Sequence, residues 1–195
     1  MSKMILNKDY SVIEFFLGDY NKRAYGREIS RICRMSQKSV ANSLLRLEAD
    51  GILRSEEKGR TKLYFLNSEN PLIKDTILSA EIKKKILFLK KHPNIQEIFR
   101  ENSGITGIFG SYARGKERAD SDIDIFAIGA DYSSIAKNAS VFGIKASVRK
   151  FSEKEWATLI KQKNTLASEI ISAHIIISGA EKFVNLAWAD FYGFD

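Results

Sequence analysis

Residues 108–128 read IFGSYARGKERADSDIDIFAI. An apolar strand, Ile105–Phe109, runs into Gly110-Ser111. A polar loop follows, and a second apolar strand, Ile123–Ile128, opens on Asp122-Ile123-Asp124. Glycine lacks a Cβ and lets the backbone pass close to a ligand. The spacing predicts a helix starting near Tyr112, and backbone N–H groups at a helix start favour phosphate. Ser111 adds a hydroxyl. Arg114 and Lys116 are candidates to add positive charge to the same phosphates.

Positions i and i+2 of a strand project to one face, so Asp122 and Asp124 point together while Ile123 and Ile125 face the core. Two adjacent carboxylates repel unless a cation lies between them. Hard, oxygen-bound Mg²⁺ or Mn²⁺, shared with substrate phosphates, suits that pair. Two such ions would activate an attacking oxygen and neutralise a leaving pyrophosphate. Alone, a Gly-Ser reads as a tight turn and an Asp-x-Asp as a solvated strand end. Their joint spacing between two apolar strands is what points to a site. Asp120 and Ser121 read as loop or capping residues.

Outward from this stretch, Pro93–Glu101 reads as a helix and Phe142–Phe151 as a strand. Ser152 and Glu155 form a capping box at the start of another helix. Thr165–Ile177 and Ala180–Trp188 read as later helices. Strands interleaved with helices make an α/β arrangement.

Gly110-Ser111, ten residues, then Asp122-Ile123-Asp124 resembles the nucleotidyltransferase superfamily related to DNA polymerase β. It is most similar to the minimal nucleotidyltransferases, which include antitoxins paired with HEPN toxins. The resemblance covers roughly residues 94–187, more weakly through Phe151–Trp156 and Ala173–Phe183. It implies a small mixed sheet, Mg²⁺, and transfer of a nucleoside monophosphate from a nucleoside triphosphate. It implies that Gly110 and Ser111 hold the triphosphate and that Asp122 and Asp124 are catalytic metal ligands. The family commonly places a third carboxylate, metal ligand and general base, on the next strand. Here that position is Ser147, and no Asp or Glu occurs between Asp131 and Glu153. Nucleotide binding without turnover is therefore the alternative reading. Lys145 and Arg149 on that strand are cations available to phosphate.

Before this half, residues 1–69 read helix, helix, helix, hairpin. Tyr10–Asp19 places Val12, Ile13, Phe16 and Leu17 at helical spacing. A second helix spans Arg27–Cys33, and a turn at Arg34-Met35 leads to Ser36, an N-cap. A third helix, Gln37–Ala49, carries Val40, Leu44, Leu45 and Leu47 and stops at Gly51. Ile52–Ser55 and Lys62–Leu66 are β-like around the polar turn Glu56–Arg60. The pattern resembles winged helix-turn-helix transcription regulators, whose third helix enters the major groove. The resemblance implies contacts to double-stranded DNA from Ser36, Gln37, Lys38, Ser39, Asn42 and Arg46. Lys58, Arg60 and Lys62 would form the wing. Asn70-Pro71 opens a connecting helix whose Leu72, Ile73, Ile77, Leu78, Ile82, Ile86 and Leu89 make one apolar face. Packing on either domain explains that face, and so does a homodimer seam.

Charge separates the halves. Residues 1–102 hold 20 Lys/Arg against 13 Asp/Glu, whereas residues 103–195 hold 11 of each, so the whole +7 excess is N-terminal. That asymmetry suits a polyanion partner for the first half. The single cysteine, Cys33, excludes an internal disulfide and reads as a small buried residue. His92 and His174 lie too far apart to suggest zinc. His92 ends a helix before Pro93, and His174 reads as core within a helix. No signal peptide or apolar stretch of membrane-spanning length is legible, so a cytoplasmic location is expected. The aromatic tail, Phe183 to Phe194, is expected to pack on its own core. The expected architecture is α+β: a winged helix-turn-helix at 1–69, a connecting helix at 70–92, and a nucleotidyltransferase-type mixed-sheet α/β domain at 93–195. Its expected ligand is a nucleoside triphosphate. Its acceptor is open among RNA, a small molecule and a toxin-like protein.

Overall fold

A computed structural model describes residues 7–99, 104–118, 120–131 and 133–194. The chain divides into two compact units at Ala80/Glu81. Among the described residues, no helix is long and apolar enough to cross a membrane.

The first unit contains α1 (Asn7–Glu14), β1 (Ala24–Tyr25), α2 (Gly26–Ile32), α3 (Gln37–Ala49), β2 (Leu53–Lys58) and β3 (Thr61–Leu66). Its core is built by the expected stripes: Val12, Ile13, Phe16, Ile29, Val40, Leu44 and Leu47 are buried. Leu45, expected in that stripe, is exposed instead, one position round the helix from Leu44. Ser36 caps α3 by accepting the Ser39 N–H at 3.2 Å, and Gly51, at φ +70°, follows the helix end in the left-handed conformation that glycine adopts without strain. The hairpin is longer than its apolar residues suggested. Glu56, Glu57 and Lys58 are in β2, with Glu57 opposite Lys62 and Lys58 opposite Thr61, so the turn narrows to Gly59-Arg60. The sheet order is β1-β3-β2, all antiparallel. Two-residue β1 is too short to show a period.

Helix α4 (Ile73–Lys91) starts in the first unit and ends in the second. Of its expected apolar face, Ile73 and Ile77 are buried, whereas Leu72, Ile82 and Ile86 are exposed.

The second unit continues with α5 (Pro93–Ile98), β4 (Ile105–Phe109), α6 (Gly110–Ala113), β5 (Ile123–Ile128), α7 (Ser133–Val141), β6 (Ala146–Phe151), α8 (Glu153–Lys161), α9 (Thr165–Ser172), β7 (Ile175–Ser178) and α10 (Ala180–Leu186), closed by a π-helix (Ala187–Phe191). Its sheet is mixed, in the order β6-β5-β4-β7. Strand β4 is antiparallel to β5 and β7, and β5 is parallel to β6. Both faces are covered, which is why β5 is apolar at every position after Asp124. On one face Phe109, Phe126 and Ile128 meet Trp156, Ile160, Ile170 and Phe183. On the other, Ile108, Ile123 and Ile125 meet Phe88, Ile95, Ile98 and Ile135. The capping box is present: the Glu155 carboxylate accepts the Ser152 N–H at 2.7 Å, and Ser152 Oγ accepts the Glu155 N–H at 3.2 Å. Leu186, Phe191 and Tyr192 of the aromatic tail pack on the first of these cores.

Strand β6 starts at Ala146, because Phe142-Gly143 closes α7. The helix expected over Thr165–Ile177 ends at Ser172, and Ile175–Ser178 forms strand β7 on β4. His174 accounts for the break. Its Nδ1 lies 2.9 Å and 3.0 Å from the carbonyl oxygens of Ile170 and Ile171, groups that a helix end leaves unpaired. Its Nε2 lies 2.9 Å from Glu81 Oε1, and Lys84 Nζ lies 2.9 Å from Glu81 Oε2. His174 is therefore core, as expected, but as part of a buried polar cluster with Glu81 and Lys84 rather than an apolar one. Burial alone would raise the Glu81 pKa. Lys84 and His174 more than offset it and hold the carboxyl down at about 2.

Candidate functional site

The β4–α6 bend and the start of β5 are brought together by strand pairing. Phe109 lies opposite Asp124, so Gly110, the next residue, meets the Asp124 side chain. Gly110 has φ +69°, and a Cβ added there would collide with Asp124 Oδ2. Both the left-handed backbone and the close approach demand glycine. The bend is a single helical turn whose opening N–H groups, from Ser111 onward, lack intrahelical partners by construction. The loop beyond it is anchored: Lys116 N–H donates to Ser111 O at 2.9 Å, and Glu117 receives Lys91 Nζ at 2.6 Å.

Asp122 is exposed and Asp124 is half-buried. Burial raises the Asp124 pKa, and the negative charges of Glu169 and then Asp122 raise it further. Arg149 opposes them. On the neighbouring parallel strand Ser147 stands beside Asp124. Parallel partners share a face, so position 147 puts a hydroxyl next to Asp124. Lys145, just before β6, and Arg149, within it, are exposed. Lys116 is exposed.

Arg114 is engaged. Its Nη1 and Nη2 both donate to Glu169 Oε1 at 3.1 Å. Glu169 lies on α9, whose Ala167, Ile170 and Ile171 pack on the Asp124 side of the sheet. Sequence reasoning overlooked it. The available signal was that Glu169 is the sole Asp, Glu, Lys or Arg between Lys163 and Glu181. Among the described residues, no three His, Cys, Asp or Glu side chains gather as a ready-made metal cage.

In the first unit, Ser36, Gln37, Lys38 and Asn42 are exposed along α3, Ser39 is half-buried, and Arg60 is exposed at the hairpin turn. Lys58 pairs with Glu56 at 2.7 Å and Lys62 with Glu48 at 3.3 Å. Arg46 faces α1 instead. Its Nη2 lies 2.6 Å from Oδ1 of the buried Asp9, and its Nε lies 3.2 Å from Oδ2. Asp9 was not anticipated as a partner. Cys33 Sγ lies 3.2 Å from Ser11 O. Its pKa is pushed up to about 11, by burial first and then by Glu14, with Lys22 opposing. A thiol so held is a poor nucleophile at neutral pH.

Residues 93–182 match the family model for polymerase beta, nucleotidyltransferase. The match contains the whole β4–α6–β5 site and β6, and it points to nucleotidyl transfer as the general chemistry of this segment. It does not reach the first unit. No curated protein and no solved structure matches the chain.

Proposed function

We propose that residues 93–195 bind a nucleoside triphosphate with Mg²⁺ or Mn²⁺ and transfer a nucleoside monophosphate to a hydroxyl acceptor. In the same reading, residues 1–69 form a winged helix that directs this domain to double-stranded DNA, with residues 70–92 connecting the two. The observation that carries the enzymatic half is the contact of Gly110 with Asp124, which joins a phosphate-type bend to an acid pair. The donor set fits a hard cation: Asp124 on β5, with Asp122 just before the strand, the charges of Glu169 and Asp122 acting on Asp124, and substrate phosphates to complete the shell. When bound, the cation neutralises the triphosphate and polarises its α-phosphate. Gly110 admits the phosphates, Ser111 presents a hydroxyl to them, and Lys116 and Arg114 bring positive charge. Asp122 and Asp124 hold the cation.

The DNA-binding half rests on the basic excess of residues 1–102 and on the polar face of α3 beside a hairpin with Lys58, Arg60 and Lys62. Arg46 is set apart from that face by Asp9. The exposed Ile82 and Ile86, one helical turn apart on α4, support a homodimer seam. An antitoxin-like role, with a toxin-like protein as acceptor, combines both halves. A second reading is favoured by Ser147 beside Asp124: a winged-helix regulator that senses nucleotide and does not turn it over.

Incubation with each labelled triphosphate and Mg²⁺, with and without acceptors, tests the enzymatic half. Transfer lost in Asp122→Ala/Asp124→Ala is the expected result. Nucleotide binding without any transfer supports the sensor. For DNA, log affinity should fall linearly with log salt, and Lys58→Ala and Arg60→Ala should each reduce that slope by about 1. A slope near zero removes the DNA assignment.

A further inference from the structure

Nucleotidyl transfer needs a group to take the proton of the attacking hydroxyl. In the reading above, on which this inference rests, Asp122 and Asp124 are occupied by the cation. Ser147, beside Asp124 on β6, is a hydroxyl and does not serve as a base near neutral pH. We propose that Glu169 is the general base of this site, delivered from helix α9 instead of from strand β6.

The geometry is specific to the bend. Glu169 Oε1 takes both guanidinium nitrogens of Arg114, the residue that immediately follows α6 and its Gly110-Ser111 opening. This pair ties α9 to the phosphate bend, on the face of the sheet that carries Asp124. Glu169 Oε2 lies outside the Arg114 pair. The side chain is 39% exposed, accessible to an incoming acceptor. A triphosphate on Ser111 also gives Arg114 more highly charged oxygens to bind. As Arg114 turns to them, the Glu169 carboxylate is released. In the transfer step the acceptor oxygen bonds to the α-phosphorus, and the bond from that phosphorus to the bridging oxygen breaks. Pyrophosphate leaves with the electron pair, and the hydroxyl proton passes to Glu169.

The test uses the full chain with α-labelled ATP, CTP, GTP or UTP and Mg²⁺. Water and the chain itself serve as acceptors, and nucleotide affinity is measured alongside turnover. Glu169→Gln and Glu169→Ala should lower turnover by about 100-fold or more while keeping Mg²⁺-nucleotide affinity within about threefold. Added formate should restore turnover to Glu169→Ala in proportion to its concentration, and should not restore Asp122→Ala/Asp124→Ala. Ser147→Asp should recover turnover in the Glu169→Gln background, since it places a carboxylate beside Asp124. Turnover of Glu169→Gln within threefold of the parent overturns the proposal. So does loss of nucleotide affinity together with turnover, or a Glu169→Ala variant indifferent to formate. If the unaltered chain neither binds nor turns over any of the four triphosphates, the nucleotidyltransferase reading itself fails, a result distinct from these.

Discussion

Two carboxylates of the second unit sit in opposite circumstances. Glu81 is sealed between Lys84 and His174, and these two partners outweigh the cost of burial. Asp124 is only half-buried, yet its negative neighbours work in the same direction as burial. The first arrangement favours the charged carboxylate, and the second disfavours it. Within one sheet-and-helix unit, the charges around an acid set the direction of its shift more than its depth does, and under the function proposed above that balance separates a structural acid from a binding one.

The largest effect should come from Glu81. Glu81→Gln leaves Lys84 and His174 without their anion, and removing one partner of a buried pair typically costs about 3–5 kcal/mol. Denaturant unfolding of the full chain measures it. The sign with pH follows from the lowered pKa. The Glu81 contribution is present above its ordinary value of 4.5 and is lost as pH falls from there toward about 2. The acid-induced loss of stability over that window should shrink in Glu81→Gln.

Gly110→Ala should come next, at about 1–3 kcal/mol for a side chain forced into the left-handed region. The added methyl also displaces the Asp124 carboxylate, so nucleotide affinity should fall beyond what the stability loss explains. A variant that keeps full affinity would separate the bend from the acid pair.

The smallest effect has the opposite sign. A raised pKa means that Asp124 contributes most to stability below its unfolded value of 3.8, and that this contribution is lost as pH rises through its folded value. Asp124→Asn should therefore leave the melting temperature at neutral pH unchanged or higher while abolishing transfer. A lowered melting temperature would place Asp124 among the structural acids, beside Glu81.

What was legible in the sequence was local. Ser36, Gly51 and the Ser152–Glu155 box marked helix ends through bonds that span a few residues. The meeting of Gly110 with Asp124 was legible because two short strands bring them together through one antiparallel pairing. Contacts closed by distant segments were not. Ile175–Ser178 looks like the end of an apolar helix until His174 caps α9 and β4 offers an edge. Glu169 looks like a solvent-facing helix residue until α9 packs beside Arg114. Arg46 has the composition of a base reader, and only the position of α1 shows that Asp9 holds it. Ser147, the position where the family resemblance implies a third carboxylate, lies beside Asp124 in the β5–β6 register. The match to the nucleotidyltransferase family model covers residues 93–182, the part whose motif is contiguous in sequence.

In the function proposed above, the Gly110 bend and the two aspartates share one cation-bridged triphosphate. A crystal structure grown with Mg²⁺ and a triphosphate whose α,β-bridge cannot be cleaved tests it most directly. The predicted result is a metal ion about 2.1 Å from oxygens of both Asp122 and Asp124, with phosphate oxygens on Ser111 and in the rest of its shell. Nucleotide bound elsewhere, or bound at Ser111 with no metal on either aspartate, would contradict it.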